Sequence, residues 1–282
     1  MPFRFKPYFA LCLAAAFSLP NPAPAQDGLD LGGSSFAFLR LPLSPRVTAL
    51  GGAGTALAEG PADAEINPAA GMRTGGALAA GQEYPASEFG TRASHIGWNL
   101  PWRGHRVMVH ARYLGFEPIP GFDDDNNPTS AYDAHTLKLQ AGMATTRFGF
   151  EWGGNFGYAR NNIASATYSA LVAGAGVRRD LPAGFSAGAS VMHVPLWTGR
   201  SMEAGEPVDP PRTLRAGLGY ARTLRPGSDL AVALDARVVE DEDAVFPLGV
   251  EYTYADALIL RAGYPLADPD NRLALGVGLR WS

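Results

Sequence analysis

The chain has 282 residues, a formal net charge of −4 from 27 acidic and 23 basic residues, and one cysteine. This length allows one large domain with a substantial core. The mild acidity disfavours nucleic-acid binding, and a single cysteine excludes an intramolecular disulfide or a site built from several cysteine ligands.

The first 25 residues have the layout of a secretory signal peptide. Two basic residues precede an apolar run from Tyr8 to Leu19, and Ala23-Pro24-Ala25 provides a small-residue cleavage site. The apolar run is too short to cross a bilayer as a helix, which needs ~20 residues. We therefore expect residues 1–25 to be a signal peptide that is removed on export, together with Cys12, although a buried N-terminal helix is the alternative.

Residues 26–72 show no regular alternation of apolar and polar positions. The segment is rich in Gly, Ala and Pro, contains Asp63 and Glu65, and ends in Asn67-Pro68-Ala69. It is too apolar for a flexible tail and too broken by Gly and Pro for spanning strands. We expect it to be buried against the rest of the chain.

From residue 73 to residue 282 the dominant signal has period two, which is typical of β-strands with two different faces. Val107, Val109 and Tyr113, for example, alternate with polar or charged neighbours, and the pattern recurs to the end of the chain. Clusters of turn-forming residues separate segments of ~9–11 residues, the length of a tilted bilayer crossing. Roughly twelve strong segments and one or two weaker ones predict about 12–14 strands.

The composition of the two faces favours a transmembrane barrel over the alternative, a soluble β-sandwich or soluble β-barrel. One face is apolar with aromatic residues near strand ends, as interfacial girdles require, and the other is rich in Gly, Ala and polar residues. Hydrogen bonding in lipid demands a closed sheet. We predict an all-β fold, a transmembrane antiparallel β-barrel in the outer membrane of a Gram-negative-type bacterium, whose lumen holds residues 26–72 as a plug. The bilayer is then the first expected partner.

The closing run RLALGVGLRWS resembles the last strand of bacterial outer-membrane barrels. Gly276, Leu279 and Trp281 match the glycine and apolar positions that the resemblance assigns to the barrel-assembly signal. The last strand is expected to pair with the first, because pairing removes the sheet edges.

The inward face is predicted to carry a surplus of basic residues. The candidate lumen-facing cations are Arg106, Arg112, Lys138, Arg215, Arg237, Arg261 and Arg280, against Glu151, Asp235 and Glu251. The plug carries Glu59, Asp63 and Glu65. Because isolated charges are costly in a partly desolvated lumen, one hypothesis is that plug acids dock on lumen arginines and keep the pore closed. In the alternative, these charges pair within the wall or meet water.

Two local motifs match a catalytic or a calcium-binding pattern only in part. Gly184 to Gly188 fits the G-x-S-x-G nucleophile pattern but enters a strand pattern, whereas the elbow needs a strand-to-helix turn. The run from Asp123 to Asn127 begins like a calcium loop, but Pro128 replaces the glycine at position six and Ala134 the glutamate at position twelve. The sequence predicts no catalytic residue, no metal site, no cofactor and no enzymatic activity.

The N-terminal block and a late stretch together carry a resemblance to a known family. The residues are FLRLP from Phe38, ALGGAG from Ala49, Asp63, Asn67-Pro68-Ala69 and PLGVEYTYADALILRAGY from Pro247. They resemble the PorV/PorQ family, which is related to the FadL outer-membrane transporters. The resemblance implies a FadL-like fourteen-stranded barrel with an N-terminal plug.

For PorV/PorQ-like proteins, the implied function is that of an accessory or scaffold of the type IX secretion system, in the export and surface attachment of cargo. Other secretion-system proteins or exported cargo are then expected as partners. A FadL-like channel for uptake of long-chain fatty acids or other small hydrophobic molecules is the alternative.

Overall fold

The computed structural model describes residues 36–41, 44–73, 76–83, 90–123, 125, 127–202, 204, 209–267 and 272–280. The predicted signal peptide, residues 1–25, and Trp281 of the predicted assembly signal lie outside these residues. The described residues form fourteen strands, and twelve of them make one antiparallel sheet in chain order. The other two strands, Ile119–Phe122 and Pro128–Tyr132, form a separate hairpin between the third and the sixth strand of the chain.

The strands lengthen towards the middle of the sheet and shorten at both ends. Their bounds are β1 Ala77–Glu83, β2 Arg92–Trp102, β3 His105–Gly115, β4 Ile119–Phe122, β5 Pro128–Tyr132, β6 Ala134–Arg147, β7 Phe150–Ile163, β8 Ala166–Asp180, β9 Phe185–Arg200, β10 Thr213–Arg225, β11 Ser228–Val239, β12 Phe246–Tyr254, β13 Leu258–Leu266 and β14 Ala274–Leu279.

The N-terminal segment, residues 36–41 and 44–73, contains short helical turns. They are a 3-10 helix at Ala37–Arg40, α1 at Pro45–Ala49, α2 at Gly60–Asp63 and a second 3-10 helix at Pro68–Arg73. Ser44 caps α1 by accepting a hydrogen bond from the Val47 amide at 3.4 Å. Among the described residues, no helix is both long enough and apolar enough to span a membrane.

The alternation predicted from the sequence matches the two faces of the sheet. Apolar side chains of the outer face, such as Leu139, Phe156 and Leu218, are exposed. The inner face carries glycines, small residues and buried polar groups. Exposed aromatic residues lie near both ends of the strands, including Trp102 and Tyr254 at one end and Tyr113 and Tyr264 at the other. This distribution, apolar outside with aromatic girdles, is that of a transmembrane barrel.

The inner face of every strand in the large sheet contacts the N-terminal segment. Leu50 and Gly51 pack on Gly263 of β13, Pro68 packs on Gly153 of β7, and the other ten strands make comparable contacts. A sheet can touch one compact segment with all its strands only by curling around it. The predicted fold class, an all-β antiparallel barrel of about 12–14 strands, is therefore confirmed.

Glycine is needed on the inner face where the segment backbone approaches most closely. A Cβ at Gly263 would overlap the Leu50 carbonyl carbon and the Gly51 nitrogen. Gly51 itself has φ of +67°, in the left-handed region that favours glycine, and ends the turn that follows α1. The Gly-rich run after Ala49 is thus a helix-terminating turn that lies against the wall.

The expected pairing of the last strand with the first is not found among the described residues. The ladders run from β1 to β14, and no ladder joins these two strands. The N-terminal segment covers the inner face of both edge strands. Its helix α1 contacts β14 through Ala49 and Gly276, and its helix α2 contacts β1. Leu78 of β1 and Leu275 of β14 are correspondingly more exposed than most outer-face leucines, at 69% and 71%.

Strand β9 contains a proline, Pro195, and continues past it to Arg200. Beyond Met192 the strand pairs with β8 but no longer with β10. Pro195 is tolerated because its missing N–H falls where β9 has become an edge strand.

Candidate functional site

The predicted lumen cations occupy three kinds of position on the wall. Arg112, Lys138 and Arg215 are buried on the inner face, while Arg106, Arg237 and Arg261 are half-buried there. Arg280 lies just after β14 and is exposed. Of the predicted assembly signal, Gly276 is half-buried and Leu279 is exposed on β14.

The residues predicted as the plug motif are all buried. Asn67 accepts a hydrogen bond from the Ala69 amide at 3.0 Å and donates to the Thr55 carbonyl at 2.9 Å. It also reaches the Val177 carbonyl of β8 at 3.3 Å. Pro68 follows at the start of the 3-10 helix, so the Asn67-Pro68-Ala69 sequence forms a turn that ties the segment to the wall.

The Lys138 cluster, made of Glu65, His110, Lys138 and His193, lies where the segment meets β3, β6 and β9. Lys138 Nζ donates to Glu65 Oε2 at 2.7 Å and to His193 Nε2 at 3.1 Å. His110 Nδ1 lies 3.3 Å from Glu65 Oε1. The Lys138 side chain is fully buried and that of Glu65 is 7% exposed. This is a buried ion pair in which the segment supplies the acid and the wall supplies the base.

The environment of Glu65 holds its pKa well below the ordinary value. Burial alone would raise that pKa, but the charge of Lys138 and the proximity of His110 outweigh the burial. Glu65 is therefore an ionised carboxylate throughout the neutral pH range.

The Arg46 cluster is made of Arg46, Asp63, Glu251 and Arg261. In this cluster the segment supplies the base, Arg46, and the wall supplies the acid, Glu251. Arg46 Nε donates to Glu251 Oε2 at 2.9 Å, and Arg261 Nε donates to the same oxygen at 2.6 Å. Arg46 Nη1 also donates to Asp63 Oδ2 at 3.3 Å and to the Leu57 carbonyl at 2.8 Å. Arg46 thus links α1 to α2 and both to β12. Burial alone would lower its pKa, but Asp63 and Glu251 raise the pKa of Arg46 above its ordinary value.

The plug acids therefore have other partners than the lumen arginines that the hypothesis assigned to them. Asp63 pairs with Arg46 of the same segment, and Glu59 lies 3.9 Å from both Arg46 and Arg73. Among the three plug acids, Glu65 meets a wall cation, and that cation is a lysine. The cause is local: α2 places Asp63 beside α1, within reach of Arg46.

The wall arginines instead donate to carbonyl groups of the segment. Arg112 donates to the Phe38 carbonyl at 2.9 Å, Arg178 to Ala56 at 2.6 Å, and Arg215 to Gly52 at 2.9 Å. An irregular backbone buried at membrane depth needs such donors, because its own turns leave carbonyls without partners. Arg178 is absent from the predicted lumen set, although its alternation with Val177 could have identified it.

Asp235 of β11 binds the segment as an acceptor. Its Oδ2 receives hydrogen bonds from the Gly54 amide at 3.0 Å, the Thr55 amide at 2.9 Å and the Thr55 hydroxyl at 2.6 Å. Wall and segment are thus joined by donors and acceptors in both directions. The arrangement can hold the segment against the inner face of the sheet with high specificity. In the described part of the chain, no group of three or more His, Cys, Asp or Glu side chains is placed to hold a metal ion.

Comparisons with known proteins add little to this description. No protein-family profile and no curated protein matches the chain. Among solved structures, the chain is similar to the beta domain of the Bordetella autotransporter BrkA, with 16% sequence identity and a TM-score of 0.35. That match covers 72% of this chain and 94% of the other. The sheet order, the two faces and the wrapped segment define the fold as that of an outer-membrane β-barrel.

Proposed function

We propose that this outer-membrane barrel is an accessory or scaffold in protein export and surface attachment, as its resemblance to the PorV/PorQ family implies. The observation that supports this proposal best is the contact of the N-terminal segment with the inner face of every strand of the large sheet. Polar side chains of the wall hold that segment, including Lys138 and Asp235. A scaffold works through its outer face and its loops, so a filled lumen is compatible with the function.

In this proposal the N-terminal segment is a plug that stays docked. Lys138 of β6, Arg215 of β10 and Glu251 of β12 all bind it. Releasing the plug would require several buried polar groups to lose their partners together, which is costly. A partner protein would therefore bind to the barrel without opening it.

Affinity purification of the tagged full-length chain from the outer membrane tests the proposal. We expect exported cargo or other secretion-system proteins to co-purify with it. The same tag on an unrelated outer-membrane barrel controls for nonspecific capture. Recovery of lipid without any protein partner above this control would contradict the proposal.

One observation favours the alternative, uptake of small hydrophobic molecules. No ladder joins β1 to β14 among the described residues, and a side opening there would give an apolar ligand a route that avoids the polar lumen. Binding of a labelled long-chain fatty acid to the purified protein tests this alternative. Saturable binding that a Leu78→Arg change abolishes would favour it over the scaffold.

A further inference from the structure

Short turns join the strands at one end of the barrel, and a set of exposed arginine side chains lies there. We call this set the arginine belt, and its members are Arg103, Arg147, Arg179, Arg222 and Arg225. The belt extends from the turn between β2 and β3 to the turn between β10 and β11, and therefore along most of the large sheet. In outer-membrane barrels the end with short turns faces the periplasm.

The belt lies on the outer face of the sheet, away from the N-terminal segment. Strand alternation places Arg147, Arg179 and Arg222 on the same face as the exposed leucines of their strands. These three side chains are therefore directed towards lipid at the end of β6, β8 and β10.

Three belt arginines contact aromatic rings of the outer face. Their guanidinium carbons lie 5.5, 4.7 and 6.0 Å from the ring centroids, in the pairs Arg103 and Trp102, Arg179 and Phe150, and Arg225 and Tyr254. A ring attracts a guanidinium group electrostatically but does not remove its charge. The belt thus lies at the level of the aromatic girdle, which is the level of the lipid head groups.

The acids in the strands and turns of this end do not compensate the belt. Glu151 and Asp180 both bind Arg178 of the inner face, at 2.9 and 2.5 Å. Asp229 faces inward and accepts a hydrogen bond within its own hairpin at 2.6 Å. Asp256, exposed in the turn between β12 and β13, is the remaining acid. Within the described residues no ion pair joins an acid to the belt, and the one carboxylate of Asp256 cannot balance five guanidinium groups.

The opposite end of the barrel has mixed charge. The connection at residues 240–243 consists of four acids. Two arginines pair with this connection, since Arg212 lies 3.6 Å from Glu240 and Arg40 lies 2.7 Å from Glu242. The outward basic surface is therefore a property of the end with short turns.

Apolar side chains accompany the arginines of the belt. Phe148, at the tip of the turn between β6 and β7, is 91% exposed, and Leu224 near the end of β10 is 54% exposed. Phe185 and Tyr220 pack on each other with their ring centroids 5.0 Å apart. Such side chains contact acyl chains, while the arginine stems lie along apolar surface and place their charge at the head groups.

We propose that the arginine belt binds the phosphate groups of anionic phospholipids in the periplasmic leaflet. Arginine binds a phosphate with two parallel N–H donors, and the neighbouring aromatic and apolar side chains contact the glycerol and acyl parts of the same lipid. The densest part of the belt is at β6 to β8. There Arg147 is opposite Phe150 in the ladder, and Arg179 lies over the ring of Phe150.

Competition between two lipids with identical acyl chains tests the proposal. The full-length protein in detergent is mixed with equal amounts of phosphatidylglycerol and phosphatidylcholine, and the bound lipids are counted by native mass spectrometry. An arginine near an anionic lipid surface contributes about fivefold in affinity. Since one or two belt arginines can reach a head group, we expect a preference for phosphatidylglycerol of roughly 5–25-fold. Equal binding of the two lipids would overturn the proposal.

Inorganic phosphate distinguishes a lipid site from a site for any free phosphate. At the same concentration as the lipid, it should leave the bound phosphatidylglycerol in place, because it makes none of the apolar contacts. Displacement of the lipid by inorganic phosphate would identify a free-anion site and overturn the lipid assignment.

Two matched double variants locate the effect. Arg147→Gln with Arg179→Gln should lower the preference for phosphatidylglycerol by about fivefold or more. Arg92→Gln with Arg160→Gln removes two outward arginines of the opposite end and should leave the preference unchanged. An equal loss in both double variants would overturn the assignment to the belt. If a variant does not fold, the competition on the wild-type protein still decides.

Discussion

The Lys138 cluster and the Arg46 cluster hold the same segment with opposite polarity. In the first, the segment supplies the carboxylate of Glu65 to a wall lysine that is fully buried. In the second, the segment supplies Arg46 to the wall carboxylate of Glu251, and both side chains retain about 15% exposure (15% and 14%). Two opposed ion pairs fix position and orientation together, because a shifted or inverted segment would place like charges in contact.

The two clusters also differ in the number of cations that bind the central carboxylate, and therefore in how many remain when one cation is removed. Among the described residues, Lys138 is the cationic side chain that donates a hydrogen bond to Glu65. Glu251 has two such donors, Arg46 and Arg261. Loss of one partner should therefore cost more in the Lys138 cluster than in the Arg46 cluster.

The largest effect is expected for Lys138→Met, which leaves the buried carboxylate of Glu65 without its ammonium partner. We expect a loss of about 3–5 kcal/mol in the free energy of unfolding, measured by urea titration in detergent. The double variant Glu65→Leu and Lys138→Met removes both charges and should recover most of that loss. Equal destabilisation of the single and double variants would show that the buried charge is not the cause.

Acidification should act on the same cluster and give a smaller, pH-limited effect. Because the pKa of Glu65 is held well below its ordinary value of 4.5, its stabilising contribution is complete above about pH 4.5 and is lost as the pH falls through the lower native-state value. The difference in unfolding free energy between wild type and Glu65→Gln should be constant from pH 7 to about pH 5 and shrink below pH 4.5. A difference that already changes between pH 7 and 6 would contradict this assignment.

The smallest of the three effects is expected for Arg46→Met. Glu251 keeps Arg261 at 2.6 Å, so the loss should be roughly 1–3 kcal/mol, attributable to the hydrogen bonds to Glu251, Asp63 and the Leu57 carbonyl. The double variant Arg46→Met and Arg261→Met should lose more than the sum of the two single changes, since Glu251 then has neither cation. Strict additivity would mean that the two arginines do not share Glu251.

Much of the wall follows from the sequence because strand faces are a local property. Val107, Val109 and Tyr113 could be assigned outward, and Lys138 and Arg215 inward, from alternation alone. The same rule would have placed Arg178 inward had it been applied to β8. It fails at His193, where a bulge reverses the alternation and brings a neighbouring pair of residues to one face.

The sequence by itself determined the all-β class, the two faces and the buried character of the Gly- and Pro-rich N-terminal segment. Only the tertiary structure decided which charges meet. Glu65 and Lys138 are 73 residues apart, and Arg46 and Glu251 are 205 apart. Alternation says which face a side chain occupies but not which residue lies opposite, since that depends on the path of an irregular segment. Its turns at Gly51 and Asn67, and the curl of the whole sheet, fix that path.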